Sequence, residues 1–332
     1  MYKYKYLLVF LFIAIGIWGA YNYFSKAVLT TSSEISSVVF SPNNKTLAVA
    51  NDRQVMLWSL ETREILESFA VKRSRLRSVT FTPDGNYLAI LTAFGGAKFR
   101  SVEHPQKEKT FDTHCQDLRT LSFSPDGKLV AFAGFGFHGK HANGVVEIFS
   151  IQTGRNIQNL YRYHFAIFGP KGKWLAAVTD PLSAEGCCVE LLAIKNKTDI
   201  EIEEVEHKRT MAKDIEYVAC LAFSPNGKIL AGTDKHRIKL WDIETGEIIN
   251  TLARPYYGDV TSILFSPNGK LIASTQGSKV RLWEVSTGKE IETHWEHSRQ
   301  VTSISFSPDG KFLASGGADC KVMLWEIISV KK

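Results

Sequence analysis

The sequence predicts an all-β fold in which seven four-stranded antiparallel blades form a closed β-propeller, preceded by one amino-terminal transmembrane helix. Three observations predict it. A short phrase with a tight-turn signal recurs seven times, an aromatic-ended strand pattern follows most copies, and a long apolar segment precedes the first copy. Repetition at a fixed period is typical of architectures built from stacked supersecondary units. At 332 residues, with 44% hydrophobic and 22% charged residues, the chain has the composition of a globular protein with a substantial core.

The recurring phrase reads apolar-x-Phe-Ser-Pro-(Asp/Asn)-Gly-Lys and is followed by Leu-Ala or a close variant. Its copies lie 41 to 55 residues apart and cover almost everything after the apolar segment. The phenylalanines that mark them are Phe40, Phe81, Phe123, Phe168, Phe223, Phe265 and Phe306. Seven copies at this period predict seven blades.

Each copy also predicts its own strands. Alternating apolar residues make a strand, Pro-Asp-Gly or Pro-Asn-Gly makes a tight turn, and Leu-Ala begins the returning strand. A third strand ends in an aromatic residue, as in IKLWDI up to Ile243 and VMLWEI up to Ile327. A Thr-Gly turn and a fourth strand usually follow, so each unit holds four antiparallel strands.

These residues resemble the WD-repeat family, whose repeats have this length and these Phe-Ser-Pro-Asp-Gly and Leu-Trp-Asp patterns. The resemblance implies a propeller that works as a protein-interaction scaffold. In that family a blade can carry a hydrogen-bonded set of His, Ser or Thr, Asp and Trp. The last repeat supplies such a set, which consists of His297, Ser315, Asp319 and Trp325.

The ring needs one more strand to close, because the last repeat ends shortly after its third strand. The family resemblance implies that the amino terminus supplies the outer strand of the last blade. Residues 27–31 lie just before the first repeat, and we expect them to pair beside Val322 to Trp325. The propeller domain is therefore predicted to span residues 26–332.

Residues 1–25 predict a membrane anchor or a signal peptide. Leu7 to Ala20 is an unbroken apolar run, and no charge occurs from Tyr6 to Ser25, which is long enough to cross a bilayer. Tyrosines and a tryptophan flank the run, as in the aromatic belts of spanning helices, and favour an uncleaved anchor through residues 7–25. Cleavage near Ser25-Lys26-Ala27 stays open. Lysines before the run predict a single-pass protein whose propeller lies on the extracytoplasmic side.

Candidate binding residues come from the irregular stretches between repeats. The stretches 134–144, 180–186 and 206–217 are predicted to lengthen connections at one end of the propeller, where binding residues concentrate. They contain His138, His141 and His207, which with His114 have the side chains of a metal site but no known ligand spacing. A basic stretch with Lys72, Arg73, Arg75 and Arg77 in the connection from the first to the second repeat would attract an acidic partner. Solvated loop residues are the alternative interpretation of both groups.

No catalytic motif occurs in the sequence, and we predict no cofactor, no metal, no small-molecule substrate and no enzyme activity. The net charge of +6 is too small and too dispersed for a dedicated nucleic-acid-binding protein. The five cysteines have no disulfide or zinc spacing. The predicted function is a membrane-tethered, non-catalytic scaffold for an unidentified protein partner. An extracytoplasmic propeller enzyme, such as a hydrolase or lactonase, or a small-ligand sensor is the alternative, because channel sites leave no local motif.

Overall fold

The chain folds as a seven-bladed β-propeller in which every blade is a four-stranded antiparallel sheet. The computed structural model describes residues 26–71, 75–93, 96–138, 141–180, 187–198, 201–213, 215, 218–253, 259–291, 293 and 295–327. Within those ranges, no helix has the length and apolar character needed to cross a bilayer. The predicted anchor, residues 1–25, lies outside the described residues.

The first four blades follow one another along the chain after the opening strand β1 (Lys26–Thr30). Blade 1 consists of β2 (Ile35–Phe40), β3 (Thr46–Asn51), β4 (Gln54–Ser59) and β5 (Ile65–Ala70). Blade 2 consists of β6 (Leu76–Phe81), β7 (Tyr87–Thr92), β8 (Gly96–Ser101) and β9 (Glu108–Asp112). Blade 3 consists of β10 (Cys115–Phe123), β11 (Leu129–His138), β12 (His141–Ser150) and β13 (Asn156–Tyr161). Blade 4 consists of β14 (Tyr163–Phe168), β15 (Trp174–Thr179), β16 (Val189–Thr198) and β17 (Glu201–Ala212).

The last three blades complete the ring. Blade 5 consists of β18 (Leu221–Phe223), β19 (Ile229–Asp234), β20 (Arg237–Asp242) and β21 (Ile248–Ala253). Blade 6 consists of β22 (Val260–Phe265), β23 (Leu271–Gln276), β24 (Lys279–Glu284) and β25 (Glu290–Ile291). Blade 7 consists of β26 (Val301–Phe306), β27 (Phe312–Gly317), β28 (Lys321–Glu326) and β1.

The predicted closure of the ring by the amino-terminal strand is confirmed. β1 pairs antiparallel with β28, with Ala27 opposite Met323 and Thr30 opposite Lys321. The Thr31 amide then donates to the carbonyl of Cys320 at 2.8 Å. Neither terminus can complete a sheet without the other, so blade 7 joins the two ends of the chain.

The repeated turns form a ring of their own. In the turn of blade 3, Ser124 Oγ donates to Asp126 Oδ1 at 2.6 Å, and Gly127 adopts a φ of +69°. A Cβ on Gly127 would lie 3.9 Å from Pro83 of the blade 2 turn, so neighbouring turns are in contact. We call this end, which also bears the third-to-fourth connections, the turn face, and the opposite end the loop face.

Two of the predicted long connections are strands. The stretch 134–144 is a paired hairpin in which His138 lies opposite His141. Its glycines serve close packing, because a Cβ on Gly144 would lie 2.7 Å from the backbone of Tyr163.

The stretch 206–217 was also expected to be a connection. Residues up to Ala212 are instead the end of the twelve-residue edge strand β17. Part of the extra length of blade 4 therefore lies in the β16–β17 hairpin, whose connection is on the turn face, and the loop-face connection to β18 begins only after Ala212 and not at residue 206 as predicted. Of the stretch 180–186, only Asp180 is among the described residues.

Candidate functional site

The predicted set in the last repeat is a continuous hydrogen-bonded chain. Trp325 Nε1 donates to Ser315 Oγ at 2.7 Å, and Ser315 Oγ lies 2.7 Å from His297 Nε2. His297 Nδ1 lies 2.9 Å from Asp319 Oδ1, and the other carboxylate oxygen accepts the Ser298 amide at 3.1 Å. These bonds satisfy the polar groups of Trp325, Ser315 and His297, all of which are buried. The blade 7 set therefore fixes two strands and two connections to one another, and offers no free group to a ligand.

The charge of Asp319 is stabilised within that set. Burial by itself would raise the pKa of this carboxyl, but hydrogen bonds from His297 and the Ser298 amide outweigh burial and lower the pKa. Asp319 is thus an anion that clamps the connection leading into β26.

Blades 3 and 4 replace this set with buried carboxylates. Glu147 lies opposite Phe132 in blade 3, and Glu190 lies opposite Ala177 in blade 4. The equivalent pair in blade 7 is Met323 opposite Ser315. Both glutamates are at most 2% exposed. A buried carboxylate needs charged or polar partners, and each blade supplies its own.

The partners of the two glutamates differ. The His114 amide donates to Glu147 Oε2 at 2.9 Å, and His114 Nδ1 lies 2.7 Å from the other oxygen. Arg162 Nη2 donates to both oxygens of Glu190, at 2.9 and 2.8 Å, and the Tyr163 hydroxyl donates at 2.6 Å. Burial, followed by the hydrogen bond to Glu190, raises the pKa of Tyr163 to about 12. Each carboxylate therefore fastens the connection that enters its blade.

The candidate loop residues have varied placements. Arg75 is exposed and its Nε lies 2.9 Å from Asp52 Oδ1, whereas Lys72 and Arg73 lie outside the described residues. His138 and His141 occupy the facing ends of β11 and β12. His207, expected in a connection, belongs to the edge strand β17, with its Nε2 3.2 Å from Thr210 Oγ1 and 3.8 Å from Glu190 Oε2.

The four histidines proposed as metal ligands are not shown as one cluster. His114 contacts Glu147 in blade 3, and His207 lies beside Glu190 in blade 4. Among the residues that the structure describes, no group of three or more His, Cys, Asp or Glu side chains is arranged to hold a metal ion.

A different surface emerges at the loop-face mouth of the central channel. In six blades the inner strand has a register irregularity four residues before the repeat phenylalanine. A β-bulge re-aims the side chain of its extra residue. We call these positions the mouth ring, which consists of Ser36, Arg77, Arg119, His164, Thr261 and Thr302, with Ala219 at the equivalent place before β18.

Four blades contribute small residues to the mouth ring, and their hydroxyls are satisfied locally. Thr302 Oγ1 donates to the carbonyls of Ile35 and Gly316 at 2.6 and 2.9 Å. Thr261 Oγ1 lies 2.9 Å from Thr275 Oγ1. This side of the mouth is therefore neutral.

The other three blades contribute Arg77, Arg119 and His164, which we call the basic sector. Arg77 of blade 2 and Arg119 of blade 3 bind the same carboxylate, that of Asp117: Arg77 Nη2 donates to Oδ1, and Arg119 Nε donates to Oδ2 at 3.2 Å. The side chains of Arg77, Arg119 and Asp117 are 35% to 41% exposed. The pair of guanidinium groups leaves a net positive charge at the channel mouth.

Aromatic contacts extend the basic sector into blade 4. The Arg119 guanidinium lies 4.6 Å from the centre of the Phe135 ring, and the His164 ring stacks on Phe135 at 5.3 Å with an interplanar angle of 17°. Burial, then the nearby Arg119 charge, lower the pKa of His164, so its imidazole is neutral at pH 7. His164 Nδ1 is buried and has no hydrogen-bond partner within the described structure.

Of the basic sector, Arg77 belongs to the basic stretch predicted from the sequence, whereas Arg119 and His164 were missed although their signal was present. Counting four residues back from each repeat phenylalanine gives the mouth ring directly, and three adjacent blades differ there in charge and size.

Comparison with known proteins places these features in context. A family model described as "WD domain, G-beta repeat" matches residues 25–59, 105–140, 208–242, 246–284 and 288–326, more than half of the chain. A WD repeat-containing protein SL1-17 from Schistosoma mansoni is 27% identical over 141 residues, which cover 41% of this chain and 44% of that protein. The chain thus spans less than half the length of this relative. Arg77 and His164 lie in stretches that the family model does not match.

Proposed function

This chain belongs to the WD-repeat family, and on that premise we propose that it is a membrane-tethered scaffold that binds a protein partner at its loop face and catalyses no reaction. Members of such a family share a fold, whereas binding depends on the residues that each member places on it. The loop face, and not the family, must therefore supply the specificity.

The observation that carries the proposal is the asymmetry of the mouth ring. Four blades fill their positions with Ser, Ala or Thr, and three adjacent blades fill them with Arg77, Arg119 and His164. A purely structural ring has no need of large charged residues in one sector. Exposed arginines grouped on a rigid scaffold are typical of a recognition surface, and Arg77 and Arg119 are such a pair.

The start of β1 supports a loop face that points away from the membrane. Lys26 pairs with Leu324, near the end of β28 that is close to the turn face. An apolar segment at residues 7–25 would therefore leave the propeller at the turn face with no spacer. A bilayer on that side leaves the opposite face open to a partner. The lysines that precede the segment favour an extracytoplasmic propeller.

Site-specific photocrosslinking in membranes tests the docking face. A photoreactive residue in place of Gln116, which is exposed on β10 beside the basic sector, is expected to capture a discrete protein. The same residue in place of Lys228, exposed in a turn of the opposite face, is the control and should not capture it. Capture at Lys228 alone would refute docking at the loop face.

The tether has its own test. Replacing Phe12 and Ile15 with lysine should move the full chain out of the membrane fraction, since each charge at the centre of a spanning helix costs about 3 kcal/mol. Ser32→Lys, at an exposed position after β1, is the control and should leave the distribution unchanged. Membrane association that survives the double substitution would exclude this segment as the anchor.

A further inference from the structure

We propose that the basic sector binds a single anionic side chain, a carboxylate or a phosphate, on an acidic segment of the partner, and that Asp117 occupies this place when no partner is bound. The inference rests on the proposed scaffold function and names the chemistry that its docking surface recognises.

The first step is that the site already holds an anion of this kind. Arg77 and Arg119 come from different blades, and both donate to the carboxylate of Asp117. Guanidinium groups match the planar geometry of carboxylates and the oxygens of phosphates. The arrangement of two such groups around one carboxylate is therefore a template for an external one.

The second step is that donors remain. A guanidinium carries five N–H donors, and the hydrogen bonds of Arg77 and Arg119 within the described structure go to Asp117 alone. The two side chains are 40% and 41% exposed, so their remaining donors are accessible to an incoming group. A ligand anion can share the arginines with Asp117 or displace it.

The third step is that Asp117 lies in a part of β10 that the other inner strands lack, because β10 begins at Cys115 and the others begin closer to their repeat phenylalanine. The β10 register shifts both between Cys115 and Asp117 and between Leu118 and Thr120, whereas the other inner strands with a mouth-ring bulge have a single shift. The additional irregularity lies directly before Asp117, whose carboxylate accepts a hydrogen bond from the bulge residue Arg119. This strand is thus built to present both an arginine and the acid that occupies it.

The fourth step concerns what the partner is. Phe135 is covered by Arg119 and stacked against His164, so it is not a free platform for nucleobases. The net charge of +6 over the whole chain is also modest for a polyanion-binding protein. One localised pair of arginines fits one anionic side chain in a protein segment better than a continuous phosphate backbone.

Binding of short fluorescent peptides to the full chain in detergent micelles tests the proposal. The probes are a glycine-spaced glutamate peptide, its phosphoserine counterpart and a glutamine control, compared by anisotropy. We expect Arg77→Gln and Arg119→Gln each to weaken binding of the charged probes about fivefold. Asp117→Asn is expected to strengthen it by a similar factor, because it removes the internal competitor and keeps the side chain's shape. The relative affinities of the two charged probes identify the source of the anion.

Arg299→Gln is the matched control. Arg299 is an exposed arginine on the same face, paired with Glu34 at 3.4 Å, but it lies between blades 7 and 1, away from the basic sector. It should leave peptide binding unchanged. Thermal unfolding of every variant checks that the propeller is folded.

Three results would overturn the proposal: weaker or unchanged binding in Asp117→Asn, an equal loss in Arg299→Gln, or tighter binding of a single-stranded RNA of equal charge that persists in Arg119→Gln. Failure of the scaffold function looks different. Photocrosslinking from Gln116 would then find no partner although the peptides follow the expected order. If a partner is captured at Gln116 but the variants all bind the peptides with the same affinity, only the anion site is refuted.

Discussion

Blade 7 and blade 4 solve the same packing problem with different chemistry. In blade 7 a hydrogen-bonded chain of Trp325, Ser315 and His297 ends on one carboxylate, Asp319, which lies at the rim of the sheet. In blade 4 the carboxylate of Glu190 lies within the sheet, and Arg162 and Tyr163 reach it from the entering connection. The comparison teaches that different sets of residues can fasten the connection that enters a blade.

The two solutions differ in backbone strain. Arg162 adopts a φ of +77°, which is unfavourable for a residue with a large side chain. Its amide donates to the Gly144 carbonyl at 2.9 Å, and its carbonyl accepts the Asp180 amide at 2.7 Å. Blade 4 therefore holds a strained residue in place to bring a guanidinium onto a buried acid. In blade 7 no member of the set has a positive φ, and the residue with a φ of +63° is Cys320, the neighbour of Asp319.

The largest expected effect comes from removing Trp325 from the blade 7 set. Trp325→Ala should lower the free energy of unfolding by about 3–5 kcal/mol, because it removes a fully buried ring and leaves Ser315 and the Trp295 face uncovered. Chemical denaturation measures it. A comparison of Trp325→Phe with Trp241→Phe isolates the hydrogen bond to Ser315. Trp241 Nε1 has no partner in the described structure, so Trp241→Phe should lower the free energy of unfolding by about 1 kcal/mol less than Trp325→Phe. Equal costs would show that the hydrogen bond to Ser315 adds nothing.

The next largest effect is expected from removing the ion pair between Arg162 and Glu190 in blade 4. Arg162→Ala should cost about 2–3 kcal/mol, since it leaves a buried carboxylate with the Tyr163 hydroxyl as its main remaining donor. The double variant Arg162→Leu with Glu190→Leu should recover most of that loss in the same denaturation assay. A double variant as unstable as Arg162→Ala would show that Arg162 acts through packing and not through charge.

A smaller effect is the pH dependence of the stability that Asp319 contributes to blade 7. The pKa of Asp319 is lowered in the folded protein, so its contribution to stability is complete above its ordinary value of 3.8 and is lost as pH falls through the folded pKa. Wild type should exceed Asp319→Asn by about 1–2 kcal/mol at pH 6, and the difference should shrink below pH 3.8. Melting temperatures over this range measure it, and a constant difference would contradict the assignment.

The smallest effect concerns the mouth. Arg77→Gln should change stability by less than about 1 kcal/mol, because its ion pair with Asp117 is partly exposed to solvent. Thermal denaturation measures this change in stability, and the peptide assay measures the loss of binding in the same variant. A large loss of stability would make Arg77 a structural residue and not a recognition residue.

Much of the fold could be predicted because its signals are local. The Phe-Ser-Pro-Asp-Gly turns, the Leu-Trp strands and the strand before Ile35 each depend on neighbouring residues, and they gave seven blades and the closing pair. The blade 7 set is readable for the same reason, since its members recur at fixed offsets within one repeat. Blades 2 and 4, with the weakest patterns, were still found through their phenylalanines, Phe81 and Phe168.

The remaining features depend on contacts between segments. Glu147 and Glu190 became equivalent only through strand register, and the positive φ of Arg162 has no sequence signal. The stretch 134–144 looked like a loop because it is rich in glycine, although three of its glycines are there because neighbouring backbones leave no room for a Cβ. The charged residues of β17 resembled a solvated connection because an edge strand carries charge that protects its unpaired side.

The closing pair has a consequence for biosynthesis. Thr31 bonds to Cys320, 289 residues later, so synthesis must continue for about 15–60 s after the first strand appears before its partner exists. During that interval the nascent chain carries an open strand edge just beyond the segment that would engage the membrane. A premature stop codon near the end of the message would therefore leave the whole ring unsealed, and we expect such products to be degraded and not to accumulate as six-bladed proteins.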